Sequence, residues 1–292
     1  MPISERFTNT DEPEWSWGDP SHTDVRGEGS PSHPEAVSTA DSTPVPEVIG
    51  NPWLDVVMGI VIFAVAQLVI GLIATIVYAV VTKADLTALR QNDPNMLISV
   101  IWPVSISTIL MAWWWSYRGN RTPATFMKWS FKKTDLLWGV GATLISIATG
   151  VVLSSVFQLS PEDSANLNSA IWPSDISPLQ AIGAGLAIGI VVPIAEEMIF
   201  RGIILNALSR KVNTWVALVI SALLFTVPHL PNFLLIDIEP AAMLSGIIQI
   251  LILGLVIGFW MIKTNRLGAS IWAHIMNNSM VVISLVLGQM LP

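Results

Sequence analysis

"PLQAIGAGLAIGIVVPIAEEMIFRGIILNAL", Pro178 to Leu208, is the stretch that decides the fold. It is apolar almost throughout and opens on Ser177-Pro178, a helix cap followed by a first-turn proline. A bilayer core takes about 20 apolar residues as helix, and this run exceeds that, so it crosses with tilt or projects beyond the lipid. Its only ionisable residues are Glu196, Glu197 and Arg201, all in "PIAEEMIFRGIIL". A charged group at membrane depth costs several kcal/mol unless it is paired or hydrated, which makes these three functional candidates.

The same ruler applied outward predicts seven spans, at roughly 53–82, 96–117, 135–158, 178–208, 214–232, 240–262 and 268–290. The predicted class is an all-α polytopic membrane protein, with spans 4–7 forming the core that carries the site. Composition agrees. Charged residues make up 12% of the 292, about half the share usual in soluble domains, and mean hydropathy is +0.62. Thr134 is positioned to cap span 3, and Pro240 to open span 6. Gly185 with Gly189, Gly254 with Gly258, and the weaker pair Gly139 with Ala142 would let helices approach closely.

Three segments follow: 1–50, an acidic Pro/Ser-rich tail; 51–177, spans 1–3; and 178–292, the helical core of spans 4–7. The tail holds ten of the 21 acids with only Arg6 and Arg26, and buries too little apolar surface to order itself. "EWSW", Glu14 to Trp17, could touch a membrane surface or a tail-binding partner, although two aromatics in a disordered tail are unremarkable in themselves. The rest is nearly neutral, so nothing points to nucleic acid. With no cysteine there is no disulfide, thiolate chemistry or lipidated cysteine. The N-terminus lacks the basic-then-apolar pattern of a cleaved signal.

Basic residues set the expected orientation. The loop after span 2 holds Arg118, Arg121, Lys128, Lys132 and Lys133; the loop after span 4 holds Arg210 and Lys211; that after span 6 holds Lys263 and Arg266. The loops after spans 3 and 5 hold none, and only Lys83 and Arg90 after span 1 run against the pattern. The N-terminus is therefore expected in the cytoplasm and the C-terminus outside a cell membrane.

The remaining intramembrane polar groups fall on later spans. Glu197 and Arg201, one helical turn apart, can pair, while Glu196 is rotated about 100° away. Phe225 and His229 share a face, with Pro228 disturbing the helix beside them. His274 and Asn278 share another, and Asn277 is a weaker candidate one position off it. Each pattern alone could be structural glue between helices. Helix rise puts Glu196 and His229 both roughly 18–21 Å from the same loop, with His274 about 9–12 Å deep and Asn278 about 6 Å deeper, so the groups can meet.

In this order, E-E-x-x-x-R, F-x-x-x-H and H-x-x-x-N resemble the CPBP family of CAAX proteases and bacteriocin-processing proteins, also called Abi. The resemblance covers roughly 178–290 and implies an intramembrane glutamate-dependent endopeptidase acting on a membrane protein or peptide. It implies Glu196 as the base that activates water, helped by His229, with His274 and Asn278 stabilising the oxyanion. Glu197 would pair with Arg201 and hold the site's shape, and Phe225 would pack beside it. No cofactor is implied; zinc on two histidines and a glutamate is the rival within this chemistry. From other classes, a non-proteolytic scaffold, chaperone or bacteriocin-immunity protein would keep the motif for structure, and a proton-coupled transporter would use buried Glu and His as a relay.

Overall fold

The computed structural model describes residues 50–84, 93–163, 167, 172–173, 176–234 and 238–290, with the side chains of Asn232, Gln289 and Met290 excepted. The acidic tail, its "EWSW" and Arg90 lie outside the described residues. Among those described, six helices are long and apolar enough to cross a bilayer: α1 (Pro52–Thr82), α2 (Pro94–Ser116), α3 (Asp135–Val156), α4 (Pro178–Leu208), α6 (Pro240–Thr264) and α7 (Leu267–Met290). The segment expected as a fifth span forms α5 (Thr214–His229), apolar but shorter than the six. The chain is an all-α polytopic membrane protein.

Several helix ends have the expected chemistry. Ser177 and Gln180 form a reciprocal capping box around Pro178 at the start of α4. Asn51 caps α1, and Asp93 caps α2 by accepting from the Asn95 and Met96 amides. Pro240 opens α6. Thr134 corrects the expectation for α3: its side chain caps nothing, and Asp135 instead accepts the Lys132 amide at 2.8 Å while pairing with Arg266.

The burial pattern is that of a protein dissolved in lipid. Leu68, Val80 and Val81 of α1, Leu137 of α3 and Leu179 of α4 are each at least 70% exposed, whereas Glu197, Arg201 and His274 are buried. Apolar surface of this extent would aggregate in water, and a bilayer solvates it. The glycines admit close helix contacts. A β-carbon on Gly189 would stand 3.2 Å from Ser279 Oγ of α7, and one on Gly139 3.0 Å from the Trp272 carbonyl of the same helix. One on Gly258 would meet Leu218 of α5 at 2.5 Å.

Two stretches of α4, Ala187–Val191 and Met198–Leu205, are wound as π-helix. Wider winding releases backbone carbonyls from the helix's own ladder. Three carbonyls in these stretches accept from neighbouring helices. The Ile188 carbonyl accepts Asn278 Nδ2 at 3.2 Å, Gly189 accepts Ser279 Oγ at 3.4 Å, and Phe200 accepts Ser221 Oγ at 2.8 Å. Helix α4 is thereby bonded to α7 and to α5 on either side of its two glutamates.

Candidate functional site

Among the described residues, Arg201 is the largest fully buried side chain. Its Nη1 donates to Glu197 Oε1 at 3.0 Å and its Nη2 to the Gly254 carbonyl of α6 at 2.9 Å. Its guanidinium lies 4.4 Å from the centre of the Phe225 ring, a cation–π contact that strengthens out of water. A β-carbon on Gly254 would crowd Phe225 at 3.2 Å, so the glycine leaves room for this packing. Glu197, Arg201 and Phe225 form one neutral block across α4, α5 and α6.

Glu197 has a second partner that sequence spacing did not reveal. Its Oε1 also accepts from His274 Nδ1 at 2.9 Å. A carboxylate accepts, so this nitrogen carries the hydrogen, and the neutral ring then presents a lone pair at Nε2. His229 reaches the same tautomer by another route. Its Nδ1 is 2.9 Å from the Phe225 carbonyl, which can only accept. The 3₁₀ turn Val227–His229, built around Pro228, produces this fold-back at the end of α5.

Glu196 lies between the two Nε2 atoms. Its Oε1 is 3.9 Å from His229 and its Oε2 3.7 Å from His274. These separations exceed a direct hydrogen bond. Phe225 backs both rings, at 4.9 Å from His229 and 5.6 Å from His274 between centroids. Exposure is graded: His274 is closed off, Glu196 nearly so, and the His229 side chain is 24% exposed, so His229 marks the open side.

Helices α4, α5 and α7 thus bring together Glu196, Glu197, Arg201, Phe225, His229 and His274, all named from the sequence. Asn278 is engaged differently. Its Nδ2 donates to the π-helical Ile188 carbonyl, and its Oδ1 lies 3.4 Å from Asn277 Nδ2, which gives Asn277 a bracing place. Among the described residues, no three His, Asp or Glu side chains are grouped so that they could hold a metal ion.

The family described as Type II CAAX prenyl endopeptidase Rce1-like matches residues 178–280, the stretch holding every one of these side chains. The match covers 103 of the 292 residues, and over that stretch the chain is similar to CAAX prenyl endopeptidases. Two curated relatives are similar to part of the chain. The Bacillus subtilis protein named "Putative membrane peptidase YdiL" is 30% identical over 153 residues, covering 51% of this chain and 56% of its own. The Lactococcus lactis protein named "UPF0177 protein YxdF" is 29% identical over 127 residues, covering 43% of this chain and 66% of its own. The chain therefore spans a little over half the length of the first of these relatives. No solved structure matches.

Proposed function

We propose that the protein is an intramembrane endopeptidase that hydrolyses a peptide bond in a membrane-associated protein or peptide, with Glu196 as general base. The observation that carries this reading is the position of the Glu196 carboxylate between two histidine Nε2 atoms, at 3.7 and 3.9 Å. A water bound there at normal hydrogen-bond lengths of about 2.8 Å can reach the carboxylate and a histidine together. Glu196 takes a proton from that water as its oxygen bonds to the substrate carbonyl carbon. The carbon–nitrogen bond then breaks, and the proton goes to the departing amine.

Charge on the tetrahedral oxygen needs donors. A neutral His274 offers only a lone pair at Nε2, so it serves as a donor only with a second proton, taken from solvent before the attack and kept through it. The hydrogen on Nδ1 and the carboxylate of Glu197 behind it hold the ring in place and stabilise that cation. Asn278 uses one amide hydrogen on Ile188 and keeps another for the oxyanion. Glu197 and Arg201 act as the frame, with Phe225 packed on it. The mechanism calls for no cofactor, and a zinc-dependent route predicts loss of activity on chelation, which separates the two.

We place the protein in a cell membrane with the N-terminus inside. Nine cations and two carboxylates gather at the end where α2, α4 and α6 finish, against Lys83 and four acids among the described residues at the other. The test of the activity is Glu196→Gln. It is expected to abolish cleavage of membrane proteins, compared by peptide mapping between cells carrying either form, while insertion and folding persist. Unchanged processing in that variant rejects the proposal and leaves a scaffold or immunity role.

A further inference from the structure

A second group of charges lies at the cation-rich end, away from the glutamate site. Asp55, 2% exposed in the first turn of α1, accepts from Arg121 at 2.8 Å, Arg210 at 2.8 Å and the Trp115 indole at 3.0 Å. Both guanidiniums attend the Phe126 ring, at 3.8 Å and 6.0 Å from its centre, and Asn206 of α4 bonds the Phe126 carbonyl. The cluster ties α1, α4 and the loop after α2 together, but it is not neutral. Two arginines share one carboxylate, and the Nε groups of both are buried without an acceptor. Lys128, half-buried two residues beyond Phe126 with φ of 55°, adds a third cation. Among the described residues no carboxylate forms an ion pair with it. Burial first, and then the charge of Arg210, lower its proton affinity below the ordinary lysine value.

A partly desolvated surplus of positive charge at a membrane interface is completed by an anion. We infer that Arg210 and Lys128, backed by Arg121, form a binding site for the phosphate of an anionic lipid headgroup. Leu54 and Val57 in the first turns of α1 and Val216 and Val219 in those of α5 are exposed, an aliphatic surface that acyl chains can cover, which favours a lipid over a free ion.

Native mass spectrometry of the full chain tests this, with phosphatidylglycerol and phosphatidylcholine as probes and inorganic phosphate as competitor. One phosphatidylglycerol is expected to stay bound under activation that strips phosphatidylcholine. Lys128→Gln should lower its occupancy about five-fold, in line with roughly 1 kcal/mol per basic residue near such a surface. Lys128→Arg should restore it, and Lys211→Gln, the same charge change on the same face, should leave it unaltered. Persistence against excess inorganic phosphate assigns the site to the lipid; displacement by phosphate shows that the phosphate group alone is recognised and overturns the lipid assignment. Equal losses in Lys128→Gln and Lys211→Gln, or equal retention of both lipids, also overturn it. Each variant keeps the Asp55 pairs, so misfolding does not mimic a lost site.

Discussion

At the scale of single residues, adjacent Glu196 and Glu197 have opposite situations because a helix turns 100° per residue. Glu197 is saturated on one oxygen by Arg201 and His274, whereas the Glu196 oxygens lie 3.7 and 3.9 Å from the two Nε2 atoms, beyond hydrogen-bond distance. Glu197→Gln removes the arginine's counter-charge from a pair that is fully buried. Breaking a buried pair costs about 3–5 kcal/mol, so this variant should accumulate poorly, as measured by monodisperse protein recovered from membranes. Asn278→Ala should lower kcat by about 10²-fold if its spare amide hydrogen serves the oxyanion. Ser279→Ala, which loses the comparable bond to the next carbonyl, Gly189, should stay near the parent rate. Equal losses in both would assign Asn278 to helix bracing instead.

At the scale of elements, helices α3, α4 and α7 position the site through contacts only small residues permit. Gly139→Ala would force its β-carbon to within 3.0 Å of the Trp272 carbonyl and 2.3 Å of Met276 Sδ, on either side of His274. The expected result is a loss of about 1–3 kcal/mol in stability and a lower rate per folded molecule. Gly150→Ala on the same helix meets nothing within 4 Å and should be silent, so thermal denaturation of the two variants compares directly. Much of this was legible in the sequence. The limits of six spans, the capping of α4, the glycine contacts and the identities of the converging residues follow from hydropathy and helical spacing, whereas the segment expected as a fifth span is shorter. The π-helical stretches did not. They depend on which freed carbonyl finds a donor on another helix, and nothing in "AIGIV" or "MIFRGIIL" records the partners. The His274–Glu197 bond was hidden for a similar reason, since spacing pairs groups within one helix and not across two. Asp55 left a trace that could have been read: an acid in the first turn of an apolar span implies buried partners.

At the scale of the whole molecule, the described residues bury a few charged groups within a largely apolar core, expose aliphatic side chains outward, and collect cations at one end. The native chain has no cysteine, so single introduced cysteines report orientation cleanly. Lys132→Cys should react only with reagent on the cytoplasmic side and Glu162→Cys only from outside; the reverse would invert the topology. Lys128 adds a pH dependence. Its folded-state value lies below the ordinary 10.5, so the fold disfavours its charged form. Stability contributed at this position is lowest when the lysine is protonated and rises as pH climbs through the folded value toward 10.5. Lys128→Gln in neutral detergent free of anionic lipid should therefore melt at a higher temperature than the parent, by calorimetry or scanning fluorimetry.

The claim that Glu196 activates water is tested most directly by single-turnover cleavage of a membrane substrate, identified by peptide mapping, with purified parent and Glu196→Gln protein of matched thermal stability. Product is expected from the parent and none above background from the variant. Equal product from both would contradict it.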